Sequence, residues 1–241
     1  MAETIYTIPV NEAFDECSES EIAECPLCRL YNKFEADELD LILGASMMEP
    51  DVRIKTNKEG FCRLHYDMML ERKNRLGMAL MLQSHLGELA DSFEHTGIAS
   101  LFSSAGAELA GRLESLEQSC YICGRIDHSF EKLLDNIIYL WENDAAFRKK
   151  LQSQKMFCLP HFRMLSEQSA KRLSKKNQKE FCSSVKTVTK SYFDLLRGDI
   201  DHFCRKFDYR FQDEPWGNAK SAVERSVKFL YGDIHKSENS K

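Results

Sequence analysis

Eight residues of this chain have the types and the spacing of metal ligands. Cys25 and Cys28 flank Pro26 and Leu27, and Cys62, 34 residues after Cys28, opens a Cys-x-x-His with His65. Cys120 and Cys123 repeat the first pair, and Cys158, 35 residues after Cys123, opens a second Cys-x-x-His with His161. Three thiolates and one imidazole are the donor set of a closed tetrahedral zinc site, which leaves no position for water or substrate. Chain order suggests one quartet in each half: Cys25, Cys28, Cys62 and His65, then Cys120, Cys123, Cys158 and His161. Two zinc ions are therefore expected, and an iron–sulfur cluster with one histidine ligand is the alternative. A full shell points to a structural role for the metal rather than to catalysis.

The duplication extends beyond the ligands. A shift of 95 residues sets Cys25 on Cys120, Asp40 on Asp135, Ile42 on Ile137 and Arg53 on Arg148. One added residue in the second half then brings Phe61 onto Phe157. The expected organisation is residues 1–118 as an N-terminal repeat with the first site, and 119–241 as a C-terminal repeat with the second, closing on one core.

The elements that must position these ligands read as helices. The chain has 11 Gly and 5 Pro, and it lacks the sustained alternation of a half-buried strand. Helices are expected over Pro9–Cys17, Leu30–Leu43, His65–His95, the segment through Leu109 to Cys120, Ile126–Trp141, 176–210 and Ala219–Tyr231. Met47–Ile54, broken by Pro50, reads as a loop, whereas Asn143 or Asp144 should cap a restarted helix. The fold class is all-α: a helical bundle built from two zinc-stapled repeats. Cys17, Cys182 and Cys204 fall in amphipathic patterns and read as small buried hydrophobes.

Other functional classes find little support. A net charge of −5 gives no general attraction to nucleic acid or to anionic membrane. The basic cluster of Lys171, Arg172, Lys175, Lys176 and Lys179 reads as a solvated helix end. No apolar run reaches membrane-spanning length, and the first residues lack the pattern of an export signal, so the cytoplasm is the expected compartment. Walker A, G-x-G-x-x-G, HExxH and G-x-S-x-G motifs are absent from the sequence. The pairs His85/Glu88, His128/Glu131 and Asp199/His202 have helical spacing but read as hydrogen-bonded or exposed side chains.

With its Cys-Pro-Leu-Cys and Phe-Cys-x-x-His motifs, Met47–Ile54, Tyr139–Trp141 and Glu214–Gly217, the chain resembles an uncharacterised family of clostridial and related Gram-positive bacteria. That family is known only as a domain of unknown function, so the resemblance implies kinship and carries no activity. From the residues, the first functional reading is a cytosolic two-zinc scaffold or partner-binding module. The second is an enzyme or small-molecule binder with a polar pocket between the repeats, built from Glu49, Asp51, Arg53 and Arg148. The third is a thiol/zinc redox switch. The partner is accordingly a protein or a small molecule.

Overall fold

The structure is a computed structural model that describes residues 7–94 and 104–236. Among the described residues there is no strand, and eleven α-helices carry the chain. They are α1 Thr7–Glu19, α2 Pro26–Leu43, α3 Pro50–Glu59, α4 Arg63–Glu71, α5 Arg75–Glu94, α6 Ser104–Gln118, α7 Tyr121–Asn143, α8 Ala145–Gln152, α9 Leu159–Arg172, α10 Lys175–Arg205 and α11 Ala222–Tyr231. The chain forms two compact units, with divisions inside α2 after Asn32 and inside α7 after Ser129. This partition differs from the 1–118 and 119–241 halves expected from the repeat, because each unit draws on both halves.

One unit holds residues 7–32 and 130–235. In α1, Val10, Ala13, Phe14 and Cys17 form the buried stripe of an amphipathic helix. Phe14 is fully buried, with its ring centroid 5.0 Å from that of Phe147 and 6.2 Å from that of Phe157. Burying such a side chain contributes about 1.5–3 kcal/mol. The long α10 turns Phe181, Val185, Val188, Tyr192 and Leu196 inward at helical spacing and packs on α8, α9 and α11. Its start is capped by the Ser174 hydroxyl, which accepts the Asn177 N–H at 3.3 Å. Asp144 caps α8 as expected, accepting from the N–H groups of Ala146 and Phe147.

The other unit holds residues 33–94 and 104–129. Its core includes Leu39, Ile42, Met69, Met78, Met81 and Ile122. Two expectations change here. Met47–Ile54 is not a loop: Ala45–Met48 is a 3-10 turn, and Pro50 stands at the first position of α3. Proline's fixed φ suits that position and its missing N–H costs nothing there, so Pro50 starts the helix rather than breaking it. The expected long helix from His65 is two helices, separated at Arg72–Asn74; Arg72 is extended, and Asn74 Oδ1 accepts the Gly77 N–H at 2.9 Å to start α5. His95, the expected end, lies outside the described residues.

The three spare cysteines also separate. Cys17 is buried, and burial pushes its thiol up to about 11 despite the opposing charge of Arg29. Cys182 is half-buried and Cys204 is exposed, which corrects the expectation for Cys204: eight residues on from Leu196 it is turned roughly 80° away from the buried stripe of α10.

Gly60 is the hinge between α3 and the ligand-bearing start of α4. Its backbone lies at φ 60° and ψ −159°, a region that side chains rarely enter. A Cβ there would also lie 3.3 Å from Leu116 Cδ2. Its carbonyl accepts the Tyr121 N–H at 3.0 Å, linking the approach to Cys62 with the start of α7. Gly60→Ala is expected to destabilise the fold by about 1–3 kcal/mol, the usual cost of forcing a side chain into such a conformation. Denaturant unfolding of the metal-loaded protein checks this, and an unchanged midpoint would refute it.

Candidate metal centres

Each ligand pair begins a helix in the same way. The carbonyls of Cys25, Cys62, Cys120 and Cys158 accept from the N–H groups of Arg29, Tyr66, Gly124 and Phe162 respectively, at 2.8–3.1 Å. Each of these cysteines therefore occupies the capping position, and the partner three residues on (Cys28, His65, Cys123 or His161) projects from the same face of the first turn. Helix N-termini carry partial positive charge, which favours thiolate over thiol.

These four helix starts meet in two pairs, crosswise to the order of the chain. Cys25 and Cys28 of α2 lie with Cys158 and His161 of α9. Cys62 and His65 of α4 lie with Cys120 and Cys123 of α7. In each group the four ligand atoms are within 4.8 Å of one another. All eight expected ligands are thus clustered, but the quartets expected within each half are corrected. Matched spacing leaves the partner open, because two copies of each motif can meet either way along the chain; the fold settles it by bringing together the starts of α2 and α9, and of α4 and α7.

The distances describe two four-cornered cages. Around His161 Nδ1 the sulfurs of Cys25, Cys28 and Cys158 stand at 3.6, 3.4 and 3.0 Å, and the Cys28 and Cys158 sulfurs are 3.6 Å apart. Around His65 Nδ1 the sulfurs of Cys62, Cys120 and Cys123 stand at 3.2, 3.3 and 3.4 Å, with 3.9 Å between Cys62 and Cys123. Donors bonded to one zinc-sized ion would be separated by about 3.6–3.8 Å. A ring nitrogen has a single lone pair or a single proton, so it cannot hydrogen-bond three sulfurs at once. Convergence on a common centre accounts for all three approaches. Each cluster can hold a metal ion.

The charges agree with that geometry. Burial opposes ionisation of Cys120, yet the His65 hydrogen bond brings its thiol down to about 6. Burial likewise opposes charge on His65, but Cys120 and the Glu35 carboxylate push the ring up to about 10. Cys123 is driven the other way, by burial and by the neighbouring Cys120. In the other cluster Cys25 is held low against its burial by hydrogen bonds from Cys158, Cys28 and His161, whereas Cys28 and Cys158 are raised, first by hydrogen bonding to their neighbouring thiols. Three thiolates in one buried cage need a cation, which only a bound metal would supply to all of them.

Behind the histidines the two centres differ. His65 Nε2 meets Glu35 Oε1 at 3.1 Å, with both side chains buried. A carboxylate there orients a metal-bound imidazole and raises its basicity. Phe130, which the 95-residue shift sets on Glu35, instead lays its ring 5.5 Å from that of His161. Glu35 was absent from the sequence-based candidates. Its signal was a carboxylate on the core-facing side of α2, legible only once that face was known.

The expected polar pocket has a different setting. Glu49 and Asp51 are exposed at the start of α3, and Arg53 is half-buried on the same helix. Arg148 belongs to the other unit, where its guanidinium lies 4.3 Å from the Trp141 ring centroid and Nε donates to the Trp141 carbonyl. A small recess with a cavity volume of about 10 Å³ lies elsewhere, lined by Asn57, Tyr66, Met69, Met78, Met81 and His85 among others. Glu49, Asp51, Arg53 and Arg148 do not line it. His85 and Glu88 are bound to Asn57, and Asp199 to Arg225, as expected of hydrogen-bonded helix pairs.

Crosswise pairing has a direct readout in metal content. Cys62→Ser and Cys120→Ser should each cost the same single equivalent of metal, and the double variant should lose no more. Cys25→Ser combined with Cys62→Ser should lose both equivalents. The reverse pattern, with Cys25 and Cys62 acting on one ion, would restore the quartets within each half. Glu35→Gln should weaken metal binding at the second centre by roughly 10–100-fold; competition with a chromogenic chelator measures it.

No helix of the described residues is long and apolar enough to cross a membrane. No curated protein and no solved structure matches the chain. A family model, described as a family of unknown function (DUF6062), matches residues 1–237. With that match spanning nearly the whole sequence, the chain belongs to DUF6062, a family of unknown function.

Proposed function

We propose that this is a two-zinc helical protein in which the ions are structural and the helical surface binds a partner protein in the reducing environment of the cytosol. The observation that carries the metal reading is the approach of three sulfurs to one imidazole nitrogen in each cluster. Three sulfurs and one nitrogen suit zinc and fill its tetrahedral shell. A multi-iron cluster needs its thiolates spread around several atoms, whereas these converge on a point. A filled shell leaves no site for a substrate, so the metal's contribution is to folding. Nine free thiols and no disulfide accord with a reducing compartment.

The partner-binding half of the reading rests on exposed aromatic surface. Phe207 and Tyr209 are 73% and 81% exposed, beside a cluster in which the rings of Phe203 and Phe207 lie 5.5 Å apart and Phe203 lies 5.5 Å from Trp216. Apolar surface of this kind is a common feature of interaction sites. The recess in the other unit has a cavity volume of only about 10 Å³, room for little more than a water molecule, which gives the enzyme reading less support.

Metal analysis of the chain purified from native cytoplasm should find two zinc ions, and chelation should abolish cooperative thermal unfolding. Lowering the pH should also release the ions, because protons compete for the thiolates; metal-dependent stability is present at neutral pH and lost on acidification. A metal-free chain that melts like the native protein would end the structural reading. Phe207→Ala with Tyr209→Ala should abolish co-purification of the partner while zinc content and melting stay unchanged. Retention of the partner by that variant would move the binding surface elsewhere.

A further inference from the structure

The two metal centres share donors and local geometry but differ in shelter. Cys25, Cys28, Cys158 and His161 are all buried. The turn after α11 covers this centre: the Asp233 N–H donates to Cys28 Sγ at 3.2 Å. Gly232 lies so close that an added Cβ would stand 3.7 Å from Cys28 Sγ and 3.8 Å from Cys158 Sγ. In the other centre His65 and Cys120 are buried, but Cys62 and Cys123 are half-exposed. Their sulfurs are 3.9 Å apart, on the first turns of two different helices.

We propose that Cys62 and Cys123 form an oxidisable dithiol, a modification site at which hydrogen peroxide makes a disulfide and releases one zinc ion while the Cys25 centre keeps its own. The inference rests on the two-zinc reading and adds to it a site and a co-reactant. These two residues are only partly buried, so peroxide meets them before the six more sheltered ones. One of the two thiolates attacks a peroxide oxygen; the O–O bond breaks, a sulfenic acid forms, and hydroxide leaves after proton exchange with water. The second thiolate attacks the sulfenic sulfur, the S–S bond forms, and a second hydroxide leaves. Two thiolates supply the two electrons that reduce one peroxide to two hydroxides, and zinc departs as a divalent cation without changing oxidation state. Cys120 and His65 are left without the ion, and His65 keeps its contact with Glu35.

Closing the gap from 3.9 Å to a bond of about 2.05 Å requires only a modest approach of two first-turn side chains. The disulfide would hold the start of α4 to the start of α7 where zinc had held them. Oxidation would thus exchange a four-ligand joint for a two-atom one, freeing Cys120 and His65 without parting the helices. A small dithiol reductant and added zinc would reverse it.

The test uses the full chain loaded with zinc and carrying Cys204→Ser, which removes an exposed thiol outside both centres. Peroxide is added with a chromogenic zinc chelator, and free thiols are then alkylated for peptide mapping. The expected result is release of one equivalent of zinc at a rate at least ~10-fold above the second, with Cys62 and Cys123 as the first disulfide. Dithiothreitol and zinc should restore two bound ions, and Cys62→Ser should abolish this disulfide. Release of both equivalents together, or a first disulfide involving Cys25, Cys28, Cys120 or Cys158, would overturn the proposal. Failure to load two equivalents at the outset would overturn the two-zinc reading itself and this proposal with it; normal loading followed by the wrong oxidation pattern would overturn only the second.

Discussion

Three cysteine sulfurs cannot all hold negative charge in a buried cage unless a cation sits among them, and the rest of the architecture is arranged around that constraint. Each cage is assembled from two helix starts, so the fixed partial charges nearest the sulfurs are the positive ends of helix dipoles. Against its burial, one thiol in each cage, Cys25 or Cys120, is held low by hydrogen bonds inside the cage, while Cys28 and Cys123 are pushed up. The pattern is that of sites prepared for a metal ion rather than complete without one. The cages also explain the use of four segments far apart in the chain. Each brings a cysteine that caps a helix and a second ligand from the following turn, so one local geometry serves four times.

Crosswise pairing gives the chain a nested order. The cluster of Cys62, His65, Cys120 and Cys123 closes loops of about 55–60 residues, as the separations of 55 and 61 between its ligands show. The cluster of Cys25, Cys28, Cys158 and His161 joins residues 130–136 positions apart and encloses the whole of the inner loop. Loop-closure entropy grows only slowly with length, so the outer joint costs about 1 kcal/mol more than the inner one on that account alone. Each cluster lies wholly within one compact unit, and each unit takes its ligands from both halves of the sequence. A metal bound at either centre therefore joins the two copies of the duplicated motif, which quartets within each half would not have done.

Duplication has not produced equal environments. At matched positions on α2 and α7, a carboxylate supports one imidazole and an aromatic ring packs against the other. A buried carboxylate hydrogen-bonded to a ligating histidine tunes the electron density of the donor, whereas a ring only holds its orientation. The chain segment after α11 adds a backbone N–H to one sulfur of the Phe130-backed centre. Two sets of residues that look alike in composition are thus given different surroundings.

The sequence by itself determined the helical class, the eight Cys and His residues that cluster, and the family, because these depend on local information: periodic apolar positions, three-residue spacing and motifs that recur after 95 residues. It also narrowed the cap of α8 to Asn143 or Asp144, and the structure uses Asp144, whose side chain bonds only two and three residues ahead. Pro50 was misjudged as a breaker although its identity was plain, because the same fixed φ that ends a helix from within begins one at its first position. Which Cys-x-x-Cys meets which Cys-x-x-His lay beyond local reasoning: two copies of each motif at the same spacing admit either pairing equally. The tertiary structure decided it by placing the start of α2 against that of α9 and the start of α4 against that of α7. Glu35, the half-exposure of Cys62 and Cys123, and the cover over Cys28 likewise depend on residues far apart in the chain meeting at one face, and no spacing along the sequence encodes that meeting.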